Sequence, residues 1–384
     1  MDGAEFNRHA AAAQVPKRSA PPPSWIAWQP VQWLGYAISY ARKSELGSEA
    51  SMRARALITY LYAPLPLLVA STLAAQSPQR PLRPVSTYSI VARDAETGQL
   101  GVAVQSHWFS VGSLVSWAAP GVGAVATQSF VEVSYGPLGL QLMRAGKGAD
   151  EALTSLLASD EFTGVRQVAM VDAHGTVVAH TGENAIIEAC DRVGEGFSVQ
   201  ANLMLNSTVC DAMYDAYATT EGDLAERLMS ALEAAQAAGG DIRGKQSAAL
   251  LVVSGDRGLP AWGGRIFDLR IEDHAEPIRE MRRLLTLARA YNFMNAGDDH
   301  MTEGDVPAAV EAYSMAQDLA PENHEMVFWT AATLAGTGNI DDALPYFKKA
   351  FDMWPDWRVL VPRLPASGLL PDDPELIQTI VEVR

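Results

Sequence analysis

Between residues 87 and 269 the chain alternates short stretches of β-strand character with stretches of helical spacing. The strand-like stretches are apolar and bounded by turn residues, whereas the others carry apolar side chains at intervals of three and four. Strands are predicted at residues 87–92, 100–106, 121–127, 166–171, 177–180, 247–253 and 265–269. Helices are predicted at residues 138–143 and 149–157 and at roughly 207–218 and 221–238.

The order of these elements predicts the class of fold. Turns at residues 94–98 and 172–175 join consecutive strands into hairpins, and pairs of helices separate the hairpins. A doubly wound parallel sheet needs a single helix between successive strands, so that fold is excluded. The pattern predicts an α+β domain at residues 87–272, built as a four-layer αββα sandwich with two antiparallel sheets face to face and helices outside. A generic α+β domain is the alternative.

From residue 277 onwards a repeat of 34 residues replaces the strand pattern. Five pairs of small, aromatic or proline residues recur at this spacing: Gly304 and Gly338, Ala309 and Ala343, Tyr313 and Phe347, Ala316 and Ala350, and Pro321 and Pro355. This period is typical of tetratricopeptide (TPR) helix pairs. Residues 277–384 are therefore predicted to be all-α and TPR-like. The predicted parts are two units at roughly 290–323 and 324–357, a capping segment at 277–289 and a closing helix containing residues 375–380.

Two units are fewer than the three that such an array usually needs for independent stability. We therefore expect the helical region to pack on the preceding domain or on a second copy of the chain, which would make the protein a homodimer. Its concave face is a candidate binding site for a peptide, a protein or a cell-wall component. A role as an oligomerisation or stabilising appendage is the alternative.

The charge of the chain narrows the choice of partners. Of its 384 residues 48% are hydrophobic and 19% charged, and the formal net charge is -16. Residues 1–86 are basic, which leaves 20 basic and 41 acidic residues in the remainder. Because of this excess of negative charge, residues 87–384 repel phosphate backbones and anionic lipid surfaces. Nucleic acid is therefore excluded as a partner, and the candidates are neutral, cationic or proteinaceous.

The N-terminal part of the chain has the pattern of a processing signal. Residues 52–75 contain a basic start, a short apolar run broken by Pro64 and Pro66, and an exit of small residues. We expect a signal peptide and export to the periplasm or the extracellular space, with residues 76–86 as a linker or propeptide. Residues 1–51, which precede Met52, are interpreted as an over-extended or disordered N-terminus. A real cytoplasmic extension followed by a signal anchor is the alternative.

The chain contains two cysteines, Cys190 and Cys210. An oxidising compartment would permit them to pair, and two buried thiols are the alternative. The histidines are scattered without metal-ligand spacing, so no metal site is predicted and no cofactor is expected.

Four separated segments carry a family resemblance. Residues 86–94, 101–112, 121–128 and 244–253 resemble, in this order, the bacterial and archaeal domain of unknown function family 1028 (DUF1028). The resemblance covers about residues 87–272. That family is placed in the N-terminal-nucleophile (Ntn) hydrolase superfamily, whose members share the αββα sandwich.

The resemblance implies a specific chemistry. In Ntn hydrolases the first residue of the mature chain supplies both the nucleophile, through its side chain, and the general base, through its free α-amino group. Thr87 opens the Thr-aromatic-Ser-Ile run at which the family's domain begins, so it is the implied nucleophile, with Ser86 as a weaker contender. An α-amine has an ordinary pKa of about 7.7–8, which suits a base near neutral pH. This chemistry requires a cut between Ser86 and Thr87.

Other polar residues near predicted strand ends are candidates for the same site. Ser106 and His107 could orient the nucleophile, Asn202 could donate an amide N–H to an oxyanion, and Lys245 could lower a neighbouring pKa. Candidate substrate-binding residues are Thr127, Gln128 and Gln246. Each also has an ordinary structural interpretation, as a strand end, a helix cap or an exposed loop residue.

The sequence therefore predicts an exported Ntn-type hydrolase that cleaves an amide-like bond with Thr87. Peptidoglycan fragments, other cell-wall-derived compounds, small amides and ureido compounds are all candidate substrates. Two alternatives are an exported binding protein that uses its repeats on an inert scaffold, and a structural envelope protein.

Overall fold

The structure is a computed structural model and describes residues 84–260 and 262–384. The predicted N-terminal extension (1–51), the signal peptide (52–75) and the linker up to residue 83 lie outside the described residues. Ten strands are present in the described part: β1 (Thr87–Arg93), β2 (Leu100–Ser106), β3 (Ser116–Ala119), β4 (Gly123–Ser129), β5 (Arg166–Asp172), β6 (Val177–Thr181), β7 (Cys190–Gly194), β8 (Phe197–Ala201), β9 (Ser247–Val253) and β10 (Arg265–Ile271).

The strands form two antiparallel sheets. One has six strands in the order β10-β9-β2-β1-β8-β7, and the other has four in the order β3-β4-β5-β6. The predicted hairpins β1–β2 and β5–β6 are confirmed, with Thr87 opposite Ser106 and Val171 opposite Val177. Strands β3, β7 and β8 were not predicted. Strand β7 is largely polar and half exposed, and β3 has only four residues, so neither carries a strong strand pattern.

The described helices are α1 (Gly112–Val115), α2 (Tyr135–Arg144), α3 (Ala149–Leu157), α4 (Val209–Thr219), α5 (Leu224–Ala237), α6 (Pro277–Glu303), α7 (Val306–Leu319), α8 (His324–Gly336), α9 (Ile340–Met353), α10 (Trp357–Leu360) and α11 (Pro374–Glu382). Short 3-10 helices lie at Thr163–Val165, Val361–Arg363 and Pro365–Ser367. The mixed α/β character of the first region and the helical character of the second are as predicted.

Helices cover the outer face of each sheet. Helices α4 and α5 pack on the six-stranded sheet, and α2 and α3 pack on the four-stranded sheet. The side chains alternate along β1: Tyr88 and Ile90 face α4 and α5, whereas Val91 belongs to the apolar core between the sheets. The Gly- and Ala-rich strand β4 contributes small side chains to that inner core, which lets the two sheets approach closely.

The helical region forms two antiparallel pairs, α6 with α7 and α8 with α9. The 34-residue repeat has a structural basis, because the Ala309, Tyr313 and Ala316 side chains of α7 and the equivalent side chains of α9 are all completely buried. Gly304 and Gly338 have φ values of +82° and +91°, a left-handed conformation that ends a helix without strain in glycine. Each proline of the repeat follows two residues after its helix.

Helix α6 differs from the prediction, which separated residues 277–289 from the first repeat unit. It is one continuous helix of 27 residues. Its first half packs on the six-stranded sheet and α5 through Ile278, Met281 and Leu285, and its second half packs on α7 through Ala290 and Met294. The two apolar segments lie on one uninterrupted helix because no Gly or Pro separates them.

Ion pairs add to this contact between the two regions. The guanidinium group of Arg282 in α6 lies 2.6 Å from Glu226 and 2.8 Å from Glu233 of α5, and that of Arg289 lies 2.7 Å from Asp223. The helical region therefore packs on the sheet-containing region, as expected for an array of two units. None of the helices within residues 84–260 and 262–384 combines the length and apolar character needed to cross a lipid bilayer.

A disulfide bond joins Cys190 in β7 to Cys210 in α4, across 20 residues of sequence. Of the two possibilities that the sequence left open, pairing is the one observed. The bond attaches the edge strand of the six-stranded sheet to the helix that covers it.

Removing this disulfide is expected to destabilise the protein by about 3 kcal/mol, because the unfolded chain would regain the freedom of a loop of that length. We would compare the urea unfolding midpoint of the wild-type protein with that of the double variant Cys190→Ala and Cys210→Ala. Reduction of the wild-type protein with dithiothreitol serves as the control and should give the same shift. A difference below about 1 kcal/mol would contradict the expectation.

Candidate functional site

Thr87 opens β1 with its side chain directed into the space between the sheets. Alternate positions of a strand face opposite sides, and Ser89, two residues further on, bonds to Gln128 of the opposite sheet at 2.6 Å. Thr87 is completely buried. Its position places it at the end of the inner layer, where apolar side chains give way to polar ones.

A row of four polar side chains crosses the six-stranded sheet at this level. Ser247 of β9 lies opposite Ser106 of β2, Ser106 lies opposite Thr87, and the Asn202 N–H donates to the Thr87 carbonyl at 3.1 Å. All four residues are completely buried. We call these four residues the polar row. Buried hydroxyl and amide groups are costly unless they are paired or used, so their concentration marks this level as a candidate site.

Glutamines of the two sheets form a buried network next to the polar row. The Gln128 Nε2 atom donates to the Thr87 carbonyl at 3.3 Å and to Gln167 Oε1 at 2.7 Å. Ser89 extends this hydrogen-bond network to Gln200 on β8, whose Nε2 atom donates to the Ser89 hydroxyl at 2.6 Å. The strand that begins with Thr87 is thus held by side chains from both sheets.

The network fixes which atoms of Asn202 are free. Gln167 Nε2 donates to the backbone carbonyls of Ala201 and Cys190 at 2.9 and 3.2 Å, so its amide can point only one way. Its Oε1 atom must then accept, and it does so from Asn202 Nδ2 at 2.9 Å. One of the two N–H groups of the amide that was expected to serve an oxyanion is therefore engaged by Gln167. The atom of Asn202 without a partner among the described residues is its acceptor, Oδ1.

The carbonyl group of Ser86, which belongs to the peptide bond preceding Thr87, receives two side-chain donors. The Ser106 hydroxyl donates to it at 2.5 Å and the Arg243 Nη2 atom at 2.7 Å. A charged donor and a hydroxyl together draw electron density from a carbonyl and favour attack at its carbon atom. The Ser86–Thr87 amide is therefore polarised for attack by a neighbouring nucleophile.

Arg243 is held in place by a buried carboxylate. The guanidinium Nε and Nη2 atoms of Arg243 donate to the two carboxylate oxygens of Asp241 at 3.0 and 2.7 Å. The Asp241 side chain is fully buried, and it also accepts the His107 backbone N–H at 3.1 Å. Burial, with the Asp241 charge adding to it, raises the pKa of the adjacent Tyr88 well above its ordinary value, so Tyr88 stays neutral at working pH.

The residues before Thr87 are also anchored. The Val85 N–H donates to the Ser129 carbonyl at 2.6 Å, the Ser129 N–H donates to the Val85 carbonyl at 3.0 Å, and the Thr87 hydroxyl donates to Val85 O at 2.8 Å. Ser129 has φ +69°, a left-handed conformation unusual for a residue with a side chain. The hydroxyls of Ser86 and Ser129 are buried without a hydrogen-bond partner within the described residues. The strained backbone of Ser129 and the two unpaired hydroxyls thus lie close to the Ser86–Thr87 bond.

The structure brings together four of the eight predicted site residues: Thr87, Ser106, Gln128 and Asn202. His107 contributes its backbone N–H to Asp241, but its ring is exposed. Thr127 is buried on the other face of β4, where its hydroxyl donates to Glu132 O at 3.1 Å. Thr127 and Gln128 are consecutive strand residues, so only one of them can face the inner space.

Lys245 and Gln246 lie outside the polar row. The Lys245 ammonium group forms an ion pair with Glu276 at 2.6 Å, and the Gln246 Nε2 atom donates to Asp273 at 3.1 Å. Both residues hold the segment that leads from β10 into α6. Their contacts fit the loop-residue interpretation given above.

Sequence reasoning missed several residues of the site. Ser198 and Gln200 were not predicted, although they alternate with the apolar residues of β8 and lead to the predicted Asn202, and this period of two could have identified their common face. Arg243 and Asp241 carry no such signal, because they lie in a loop between α5 and β9. In residues 84–260 and 262–384 no group of three or more His, Cys, Asp or Glu side chains is placed to hold a metal ion.

Fold and site together define a two-sheet α/β protein with a completely buried row of hydroxyl and amide side chains around the start of its first strand. The profile of the "Family of unknown function (DUF1028)" matches residues 87–281, and the chain belongs to that family. Among solved structures the chain is similar to protein SPO2555 from Silicibacter pomeroyi, which carries the same family designation. The two are 29% identical over 53% of this chain and 86% of that chain, with a TM-score of 0.48. No curated protein matches the chain.

Proposed function

We propose that the protein is an Ntn-type hydrolase that cleaves an amide bond with Thr87 as its N-terminal nucleophile. Two antiparallel sheets with helices on both outer faces support the assignment to the αββα Ntn sandwich. The single observation that carries the proposal is the pair of donors on the Ser86 carbonyl, from Ser106 and Arg243, directly before the candidate nucleophile.

The first step of the proposed mechanism is self-cleavage. The Thr87 Oγ1 atom attacks the Ser86 carbonyl carbon, and its proton passes to the leaving Thr87 nitrogen as the C–N bond breaks. The product is an ester between Ser86 and the Thr87 hydroxyl. Water then hydrolyses this ester, which leaves a Ser86 carboxylate, the Thr87 hydroxyl and a free Thr87 α-amine. Ser106 and Arg243 stabilise the negative charge that develops on the Ser86 oxygen.

The mature site repeats this chemistry on a substrate. The Thr87 α-amine accepts the hydroxyl proton while Oγ1 attacks the substrate carbonyl, and the amine returns the proton to the leaving group. Asn202 Oδ1 is buried without a hydrogen-bond partner among the described residues, and the backbone N–H of the same residue donates to the Thr87 carbonyl. We therefore assign Asn202 Oδ1 as the acceptor for an N–H of the new α-amine. The same Ser106 and Arg243 donors serve the substrate oxyanion.

Localisation and partners belong to the same proposal. The Cys190–Cys210 disulfide supports export, because disulfides persist in the periplasm and outside the cell. The equivalent buried residues of α7 and α9 support a TPR-like assignment of the helical region, which would then bind a peptide or protein partner. The substrate is an amide-containing compound of small or cell-wall-derived type.

The mature N-terminus tests this function. We expect the full-length chain, expressed with export and recovered from the exported fraction, to contain a polypeptide that begins at Thr87. Intact mass and N-terminal sequencing measure this directly. Recovery of a single chain in which Ser86 remains joined to Thr87 would contradict the hydrolase proposal and would favour a binding protein on an inert scaffold.

A further inference from the structure

The segment before Thr87 is bound as a substrate would be bound. Its last carbonyl, that of Ser86, contacts Ser106 and Arg243. The residue before it, Val85, pairs through its backbone N–H and C=O with Ser129 on the opposite sheet. The Val85 side chain is 1% exposed and belongs to the apolar core between the sheets. The segment therefore supplies a carbonyl at the reaction centre, two backbone hydrogen bonds and a buried aliphatic side chain.

The same nucleophile must attack the Ser86 carbonyl during maturation and the carbonyl of each later substrate. If Thr87 Oγ1 attacks Ser86 during maturation, a later substrate has to place its own carbonyl in the same position, because the nucleophile and the oxyanion donors do not change. The acyl half of that substrate must then extend along the path that residues 84–86 follow. Departure of residues 84–86 would leave the groups that bound them without partners.

The charge of this path favours a neutral acyl group. Asp241 already neutralises Arg243 through two hydrogen bonds at 3.0 and 2.7 Å. The remaining guanidinium N–H groups donate hydrogen bonds to two backbone carbonyl oxygens, Ser86 O at 2.7 Å and Pro84 O at 3.4 Å. A neutral Arg–Asp pair offers no net positive charge to repay the desolvation of an anionic acyl chain. It offers hydrogen bonds to alternate backbone carbonyls, those of Pro84 and Ser86.

We propose that residues 84–86 mark the acyl side of the substrate site, and that the substrate is a peptide-like amide with an uncharged, extended acyl half. This inference rests on the proposed function. The acyl half has at least two residues, with a small aliphatic side chain in the position of Val85 and a backbone N–H that pairs with Ser129. Simple amides and ureido compounds lack the groups that would make these contacts.

The test uses the matured wild-type protein and three fluorogenic probes. The first is acetyl-Pro-Val-Ser linked to 7-amino-4-methylcoumarin, which reproduces residues 84–86. The second is identical except for a methyl group on the valine nitrogen, which removes the N–H that pairs with Ser129 O. The third is acetyl-Ser with the same leaving group. We expect kcat/KM for the first probe to exceed that for each of the others at least tenfold, because a buried carbonyl left unpaired is costly.

The outcomes separate this inference from the proposed function. A protein that matures at Thr87 but hydrolyses none of the probes, or that does not discriminate against the methylated probe, overturns the peptide-like substrate while self-cleavage stands. Faster hydrolysis of acetyl-Ser than of the tripeptide has the same meaning. A chain that does not mature at all overturns both. Since only the probe changes, no outcome is confused with a folding defect.

Discussion

Replacing Thr87 by alanine is expected to leave the bond after Ser86 intact and to abolish hydrolysis. The substitution removes the Oγ1 atom that forms the ester, and no other described residue opens a strand beside the polarised Ser86 carbonyl. The lost hydrogen bond to Val85 O would cost only about 0.5–1.5 kcal/mol, so the fold should persist. Intact mass over time after purification measures the cleavage, and circular dichroism verifies the fold.

Two matched variants sharpen this test. Thr87→Ser keeps a hydroxyl on the same atom and should still mature. Ser86→Ala removes a hydroxyl that is buried without a described partner, so it should mature as the wild type does. Cleavage in Thr87→Ala, or a mature chain that begins at Ser86, would contradict the assignment of Thr87. Either result would favour Ser86 as the nucleophile.

Replacing Arg243 by alanine is expected to slow maturation by about 100-fold or more, because loss of one oxyanion donor typically costs about 3–4 kcal/mol of transition-state stabilisation. The variant would also leave the buried Asp241 carboxylate unpaired, which endangers the fold. The double variant Asp241→Asn with Arg243→Ala removes both charges and avoids that penalty. The fraction of mature chain against time, by mass spectrometry, is the measurement.

Added guanidinium ion provides a readout that a merely structural role would not change. A guanidinium ion that enters the space left by the Arg243 side chain should donate to the Ser86 carbonyl and accelerate cleavage in the variant, but not in the wild type. Arg265→Ala is the control, because Arg265 forms an exposed ion pair with Asp268 on the edge strand β10. Wild-type cleavage rates in the folded double variant would contradict the role of Arg243.

Much of the candidate site could be predicted from local pattern. Ser106 and Gln128 lie at or near the ends of strands whose apolar alternation the sequence displays plainly, whereas Thr87 was identified through the family resemblance. Patterns of this kind identify strand ends, but they do not show which of two consecutive residues faces inward. Thr127 and Gln128 were both candidates for that reason, and the packing of β4 between the inner core and α2 selected Gln128.

The groups that activate the Ser86 carbonyl could not be predicted in this way. Arg243 lies 157 residues from Ser86 in the chain, in a loop with no periodic pattern. Its place depends on a β-bridge between Met204 and Asp241 and on the ion pair between Asp241 and Arg243. Contacts of this kind exist only after distant segments have packed, so local sequence carries no record of them.

The sequence by itself determined the two-part organisation, the hairpins, the helix pairs and the 34-residue repeat, because each follows from the period of apolar residues over short distances. Only the tertiary structure decided that Cys190 and Cys210 pair, that the two halves of α6 pack on different neighbours, and that Asn202 Oδ1 is left without a partner among the described residues. These features depend on which surfaces of distant segments meet in three dimensions, through a covalent bond, apolar packing and side-chain hydrogen bonds respectively.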